Sequence, residues 1–178
     1  MNFLIIVLFI IYIGSVNATA IGSSTGLKLP RFVSTKSNES NLRIGAHKDY
    51  PIILTYNIKN IPLEIVDEYE IWRKIIDING NQGWMHESLL KGNRYGIIKT
   101  FHDQPAQIYN KPRGITIGTI GNRNIIKIKK CLNLWCFISY NKFRGWINKK
   151  NIWGVYDEEK FNIPFYHFFI NLFWEAIK

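Results

Sequence analysis

The sequence lacks most of the parts from which enzymes and membrane spans are built. It contains no Gly-rich phosphate loop, no H-E-x-x-H, no G-x-S-x-G and no paired metal-ligand motif. Two cysteines are present, Cys131 and Cys136. A zinc site would need two further ligands, and no His neighbours either Cys in sequence. A catalytic Cys needs a base held beside it; His47, His86 and His102 are available, but none lies in a recognisable motif. These absences predict a non-enzymatic chain without a cofactor or metal. The opening apolar run, Phe3 to Ile13, has 11 residues, too short for the ~20 that cross a bilayer as a helix. Acid is missing from one region: between Lys99 and Tyr156, Asp103 faces 11 Lys/Arg.

What the sequence does contain, it contains twice. Trp72 to Leu90, WRKIIDINGNQGWMHESLL, is matched by WCFISYNKFRGWINKKNIW from Trp135. Each copy runs from a Trp through a half-apolar stretch and a polar turn to Gly-Trp. Upstream, Leu63, Ile65 and Ile71-Trp72 match Ile126, Ile128 and Leu134-Trp135. A self-match at about 60 residues, longer than solenoid periods, predicts two copies of one small module, at 31–95 and 96–156. A module of that size buries a small core. An aromatic content of 15% supplies large rings for it. Abundant Ile, Val, Tyr and Trp with scattered Gly and Asn favour strands.

The apolar run at the N-terminus suits a signal-peptide core, although no Lys or Arg precedes it. Ala18 and Ala20 place small residues at −3 and −1, which predicts a leader over 1–20 cleaved before Ile21, and hence an exported protein. An uncleaved anchor is the other reading. No Cys stands near the cleavage point to carry a lipid. Residues 21–30 read as a Gly/Ser-rich linker. In the first module Asn41-Leu42-Arg43 opens a strand, Gly45 to Asp49 is a loop ended by Tyr50-Pro51, and Ile52 to Tyr56 is a strand. Asn79-Gly80-Asn81 predicts a type I′ hairpin turn. Glu87 to Leu90 reads as one helical or 3₁₀ turn.

These residues resemble a known family. N-L-R-x-G at Asn41 to Gly45, Tyr50-Pro51, W-x-x-I at Trp72 and Ile75, and G-W-x-H-x-S-L-L at Gly83 to Leu90 look like the bacterial SH3 domain. The second copy, with Gly145-Trp146-Ile147 and its N-I-W-G-V-Y close, looks like the second member of a tandem pair. Gly45-Ala46-His47 stands where the family often has a Gly-Pro-Gly-like run, and Leu54 where it often has an aromatic. The resemblance implies an all-β chain of two small SH3-like β-barrels in tandem. It also implies a binding protein that recognises a cell-wall peptide or another envelope protein or component. On that reading the groove aromatics are Tyr50, Trp72 and Trp84, with Trp135 and Trp146 in the second copy. Each Trp also has a core reading, which is favoured for Trp84 and Trp146.

Cys131 and Cys136 flank Leu132-Asn133-Leu134-Trp135. A hairpin turn there would bring them opposite each other on adjacent strands, within disulfide reach. In an exported chain this predicts a disulfide, stabilising by about 2 kcal/mol for so small a loop. Charge divides the modules. Residues 31–98 carry 9 Lys/Arg against 8 Asp/Glu, so the basic excess is in the second module. Lys127, Lys129 and Lys130, with Lys142, Arg144, Lys149 and Lys150, form a predicted basic patch. It suits anionic lipid headgroups, wall polymers or peptide carboxylates, with nucleic acid disfavoured by export. A purely solvated basic face is the plainer reading. The tail, 157–178, places His167, Asn171 and Glu175 at a spacing of four, predicting a helix with one polar stripe and a broad aromatic face. After Pro164 it would be about 21 Å long, enough to lie on a membrane or dock on a barrel but not to span. Its alternative to the wall-binding reading is a membrane-associated structural or interaction protein.

Overall fold

The structure is a computed structural model and describes residues 20–162. The predicted signal peptide, save Ala20, and the tail helix beyond Asn162 lie outside the described residues. The strands are β1 Ala20–Ile21, β2 Lys28–Leu29, β3 Arg31–Thr35, β4 Ser40–Arg43, β5 Ile52–Tyr56, β6 Pro62–Tyr69, β7 Trp72–Ile76, β8 Gln82–His86 and β9 Leu90–Lys91. There follow β10 Tyr95–Ile98, β11 Ala106–Tyr109, β12 Thr116–Ile120, β13 Ile125–Cys131, β14 Trp135–Tyr140, β15 Phe143–Asn148 and β16 Ile152–Trp153. One 3₁₀ turn, Glu87–Leu89, precedes β9, as expected, and another, Lys149–Asn151, precedes β16.

The chain is all-β, in two tandem antiparallel sheets of seven strands. The first has the order β5-β4-β8-β7-β6-β3-β9 and the second β12-β11-β15-β14-β13-β10-β16. Adding seven to each strand number of the first reproduces the second. The repeat extends to irregularities. Ile65 pairs with Ile75, and a bulge follows before Asp67; Ile128 pairs with Ile138, and a bulge follows before Lys130. Alternation along each strand sends one side inward. Leu42, Leu63, Ile65, Ile75 and Met85 fill the first core, and Ile108, Ile126, Ile128, Ile138 and Ile147 the second. Strands from both ends of each sheet feed one cluster, so each sheet curls around its own core.

The repeated Gly-Trp is a packing requirement. At Gly83 a Cβ would lie 2.6 Å from the Arg43 carbonyl oxygen and 2.7 Å from the Leu42 side chain. At Gly145 it would meet the Ile108 side chain and stand 3.0 Å from the Tyr109 carbonyl oxygen. Here β8 crosses β4 and β15 crosses β11, and only hydrogen fits between.

Several expectations change. Residues 21–30 are no linker: β1 and β2 pair as a hairpin, Leu29 joins the first core, and the intervening turn wraps around Glu68. Tyr95 begins the second sheet, so the modules divide at residues 92–94. The turn after β7 is not type I′, which needs two residues with positive φ. Gly80 alone takes one, 83°, while the Asp77 carboxylate accepts from the Asn79 and Asn81 N–H groups.

The modules are joined by side chains from the end of the second. Phe32 of β3 packs against Trp153 and Tyr156, with ring centroids 5.2 and 4.8 Å away. The Tyr156 hydroxyl donates to Glu64 at 2.7 Å. Arg94, in the connecting segment, donates to the Gly154 carbonyl and pairs with Glu159.

Gly83→Ala and Gly145→Ala are each expected to destabilise their module by about 1–3 kcal/mol, since overpacked backbone cannot relax as a side chain does. Gly92→Ala, where a Cβ meets nothing within 4 Å, should shift stability by no more than about 0.5 kcal/mol. Urea unfolding midpoints measure all three; equal midpoints would rule out the close approach as the reason for Gly-Trp.

Candidate functional site

A groove with a volume of about 1010 Å³ lies on the first module. One wall is the tip of the β4–β5 hairpin, with Gly45, Ala46, His47, Asp49 and Tyr50. The other is the end of β6 and its turn, Asp67 to Glu70. Trp72 and Trp84 form the floor. The three aromatics expected in this module, Tyr50, Trp72 and Trp84, therefore meet in one groove. Tyr50 is 50% exposed; Trp72 is buried and packs edge-on against His86 at 5.4 Å. Trp84 is half-buried and belongs to neither core cluster, contrary to the core reading. Trp146 is likewise half-buried and outside the second core. Its position follows from register: Arg43 pairs with Trp84 and Tyr109 with Trp146, so both indoles stand on the outer face of their sheets.

The hairpin tip is shaped by local contacts. A Cβ on Gly45 would stand 2.5 Å from the Tyr50 ring, so glycine lets that ring lie across the loop. Arg43 holds the loop by donating to the Tyr50 carbonyl at 2.7 Å. The His47 ring nitrogen lies 3.3 Å from the Asp49 carboxylate.

The opposite wall is held by a buried carboxylate. The Glu68 side chain is fully buried and accepts from Arg31 at 2.5 Å, the Thr25 hydroxyl at 2.8 Å, and the Thr25 and Ser24 N–H groups at 2.9 and 3.2 Å. Arg73 stands 3.7 Å from it, pairs with Glu87 and donates to the Glu70 and Trp72 carbonyls. Glu68 thus fixes both the N-terminal hairpin and, through Arg73, the turn that carries the groove wall. Burial acts to raise its pKa, but the Arg31 and Thr25 contacts outweigh that and bring it to about 2 from 4.5.

With Glu68 internally satisfied, the acids that face the groove are Asp49, Asp67 and Glu70. Neither Asp67 nor Glu70 makes an ion pair among the described residues. The groove is aromatic and acidic, a surface for a positively charged group beside an apolar one. These acids lie outside the family-like motifs of the sequence. A signal was present: Asp67-Glu68-Tyr69-Glu70 directly precedes Ile71-Trp72.

The second module is built differently at the matching places. Its hairpin tip is short and basic, Lys111-Pro112-Arg113-Gly114, closed by Gly114 N–H to the Lys111 carbonyl at 2.9 Å. Its counterpart of the acidic turn is Leu132-Asn133-Leu134, closed by the Cys131–Cys136 disulfide, whose Cα atoms lie 4.1 Å apart across β13 and β14. Trp135 packs edge-on against Tyr109 at 5.2 Å. Of the basic patch, Lys129, Lys142, Arg144 and Lys150 are exposed, and Lys127 and Lys130 partly so. Lys149 does not belong to it. It is 4% exposed, and its ammonium donates to the carbonyls of Asp157 at 2.9 Å and Glu159 at 2.5 Å. Burial lowers its pKa against the opposing pull of Glu159 and Asp157. Among the described residues no three His, Cys, Asp or Glu side chains converge as a metal-binding group.

The bacterial SH3 domain family model matches residues 36–92 and 119–154, more than half of the chain. No curated protein matches it. Among solved structures, NlpC1 of Trichomonas vaginalis is similar at 13% identity and a TM-score of 0.33, covering 74% of this chain and 48% of its own. NlpC2 of the same organism is similar at 12% identity and a TM-score of 0.33, covering 75% and 51%. The chain thus spans about half the length of either.

Glu68 makes the groove wall acid-sensitive in a defined window. Its folded pKa lies below the usual value, so its contribution is full above about pH 4.5 and is lost as pH falls toward 2. Glu68→Gln should cost on the order of 3 kcal/mol at pH 7, by leaving Arg31 without its counter-charge and Arg73 with Glu87 alone. It should also flatten the stability loss between pH 4.5 and 2. Circular dichroism melts across pH test both; a variant as stable as the parent with the same acid limb would contradict the assignment.

Proposed function

The chain belongs to the bacterial SH3 domain family, and from that premise we propose that it is a non-enzymatic, exported binding protein whose first module recognises a cell-wall peptide or another envelope component. The observation that carries this reading is the groove on Trp72 and Trp84, open between two walls and edged by Asp49, Asp67 and Glu70. A peptide with a free amine beside a small apolar side chain matches that lining. Its ammonium would meet carboxylates and aromatic faces, and its aliphatic part the indoles. The preformed walls favour binding without rearrangement, because Glu68 and Arg43 hold them before a ligand arrives.

The disulfide supports a place outside the reducing cytoplasm, where such a bond persists and where wall polymers are found. The groove's titratable side chains are carboxylates, tyrosines and His47, a lining suited to holding a cationic group.

Binding of the protein to purified peptidoglycan, and to amine-bearing against N-acetylated wall peptides, tests the proposal. Wild-type protein should retain the free-amine peptide and lose at least about tenfold in affinity when the amine is acetylated. Trp84→Ala and the double change Asp67→Asn with Glu70→Gln should each lose about tenfold as well, roughly 1.4 kcal/mol. Release of soluble wall fragments by the pure protein would replace this reading with an enzymatic one. Binding to anionic vesicles but not to wall material would replace it with a membrane-surface role.

A further inference from the structure

The outer face of the second sheet carries a cross-strand row that the first module does not have. By register, Tyr109 of β11 is opposite Trp146 of β15, Trp146 is opposite Phe137 of β14, and Phe137 is opposite Lys130 of β13. Directly opposite residues share a face, and strands lie about 4.8 Å apart, so the row spans roughly 14 Å. Three of its side chains, Lys130, Phe137 and Trp146, are in mutual contact. Phe137 and Trp146 rings are 5.4 Å apart, and the Lys130 ammonium sits 5.0 Å from the Trp146 ring and 5.7 Å from Phe137. Trp135, two residues before Phe137 on β14, packs against Tyr109 and lines a cavity of about 350 Å³ with Phe101, Gln107 and Lys150. The next row along the strands carries Lys127, Ser139 and Arg144.

The counterpart row in the first module reads Arg43, Trp84, Lys74, Asp67. Only the tryptophan is common to both. Where the first module has Asp67 the second has Lys130, and Phe137 and Tyr109 replace Lys74 and Arg43. No acid from 99 to 156 other than Asp103 can neutralise the face, and Asp103 is bound to Asn122.

We propose that this face is a second binding site, which takes an anionic glycan strand, a sugar polymer bearing carboxylate or phosphate groups. Sugar rings present flat C–H faces that pack on half-exposed aromatic side chains. Lys130, Arg144, Lys127 and Lys150 flank the ridge as point charges for the acidic groups. A track with cations at both ends fits a chain rather than a small anion. Lys130 covers Phe137 and Trp146, so the rings left for sugar are Tyr109 and Trp135, which stand edge-on at 84° and give nucleic acid no parallel platform for stacking successive bases. The site is separate from the groove of the first module and does not depend on its ligand.

Affinity electrophoresis of the full protein through gels containing polygalacturonate, teichoic acid or neutral dextran is the test. Polygalacturonate and teichoic acid separate the carboxylate and phosphate sources. Retardation by at least one of them and not by dextran is expected. Lys130→Gln with Arg144→Gln should weaken it at least tenfold, Tyr109→Ser several-fold, and Lys74→Gln in the first module should leave it unchanged. On the wild-type protein, the indole N–H resonances of Trp135 and Trp146 should shift with polymer while those of Trp72 and Trp84 stay in place; this reading needs no variant to fold. Retardation equal in dextran, absence of retardation, shifts confined to Trp72 and Trp84, or tighter binding at equal ionic strength to single-stranded DNA or phosphatidylglycerol vesicles would each overturn the proposal.

Discussion

Two glycines set the geometry on which the outer faces of both modules depend. Where β8 passes β4 and β15 passes β11, backbone meets backbone with no room for a methyl group. That contact curls each sheet over its core and fixes the register of the next residue. The tryptophan after each glycine is therefore turned outward, opposite Arg43 in one module and Tyr109 in the other. A side chain added at the glycine would push the strands apart at the place where the outer face is assembled. Gly-Trp is thus one device with two parts, a close crossing and an indole presented by it.

The second constraint is the joint between the modules. Phe32 is buried although it faces away from the first core, because Trp153, Tyr156 and Arg94 cover it. Burial and the hydrogen bond to Glu64 hold the Tyr156 hydroxyl protonated far above neutral pH, so the contact survives over the physiological range. Lys149 ties the segment after Tyr156 to the second barrel through two carbonyls.

Much of the architecture was legible in the sequence. Large aromatics and Gly-Trp recur at matched positions, and a small core leaves little freedom for replacing them. The pairing of Cys131 with Cys136 was legible too, because a four-residue connection between strands places its flanking residues opposite each other. What was not legible rests on contacts distant in the chain. Nothing near Gly22 to Leu27 announces a turn built around the carboxylate of Glu68, more than 40 residues away. Lys149 reads as one cation among many until the chain after Gly154 folds back and offers it carbonyls. Asn79-Gly80 signalled a turn correctly, but Asp77 settled its type by capping the backbone from within.

The divergence of the two outer faces follows from which positions the fold constrains. Inward positions must stay apolar and of similar volume, and they do: Ile65 and Ile128, Ile75 and Ile138 keep their pairings. Outward positions carry no such demand. Asp67 and Lys130 occupy the same place after the same bulge yet have opposite charge, and Lys74 gives way to Phe137 across the strand. Changes of this kind alter the field above the sheet without disturbing the barrel beneath it. The longer hairpin of the first module walls one side of a groove, while the second module has a short basic hairpin in its place. Charge and shape change together because both are set by surface residues and loop length. One scaffold, used twice, therefore presents an acid-edged groove in one module and a basic, aromatic face in the other.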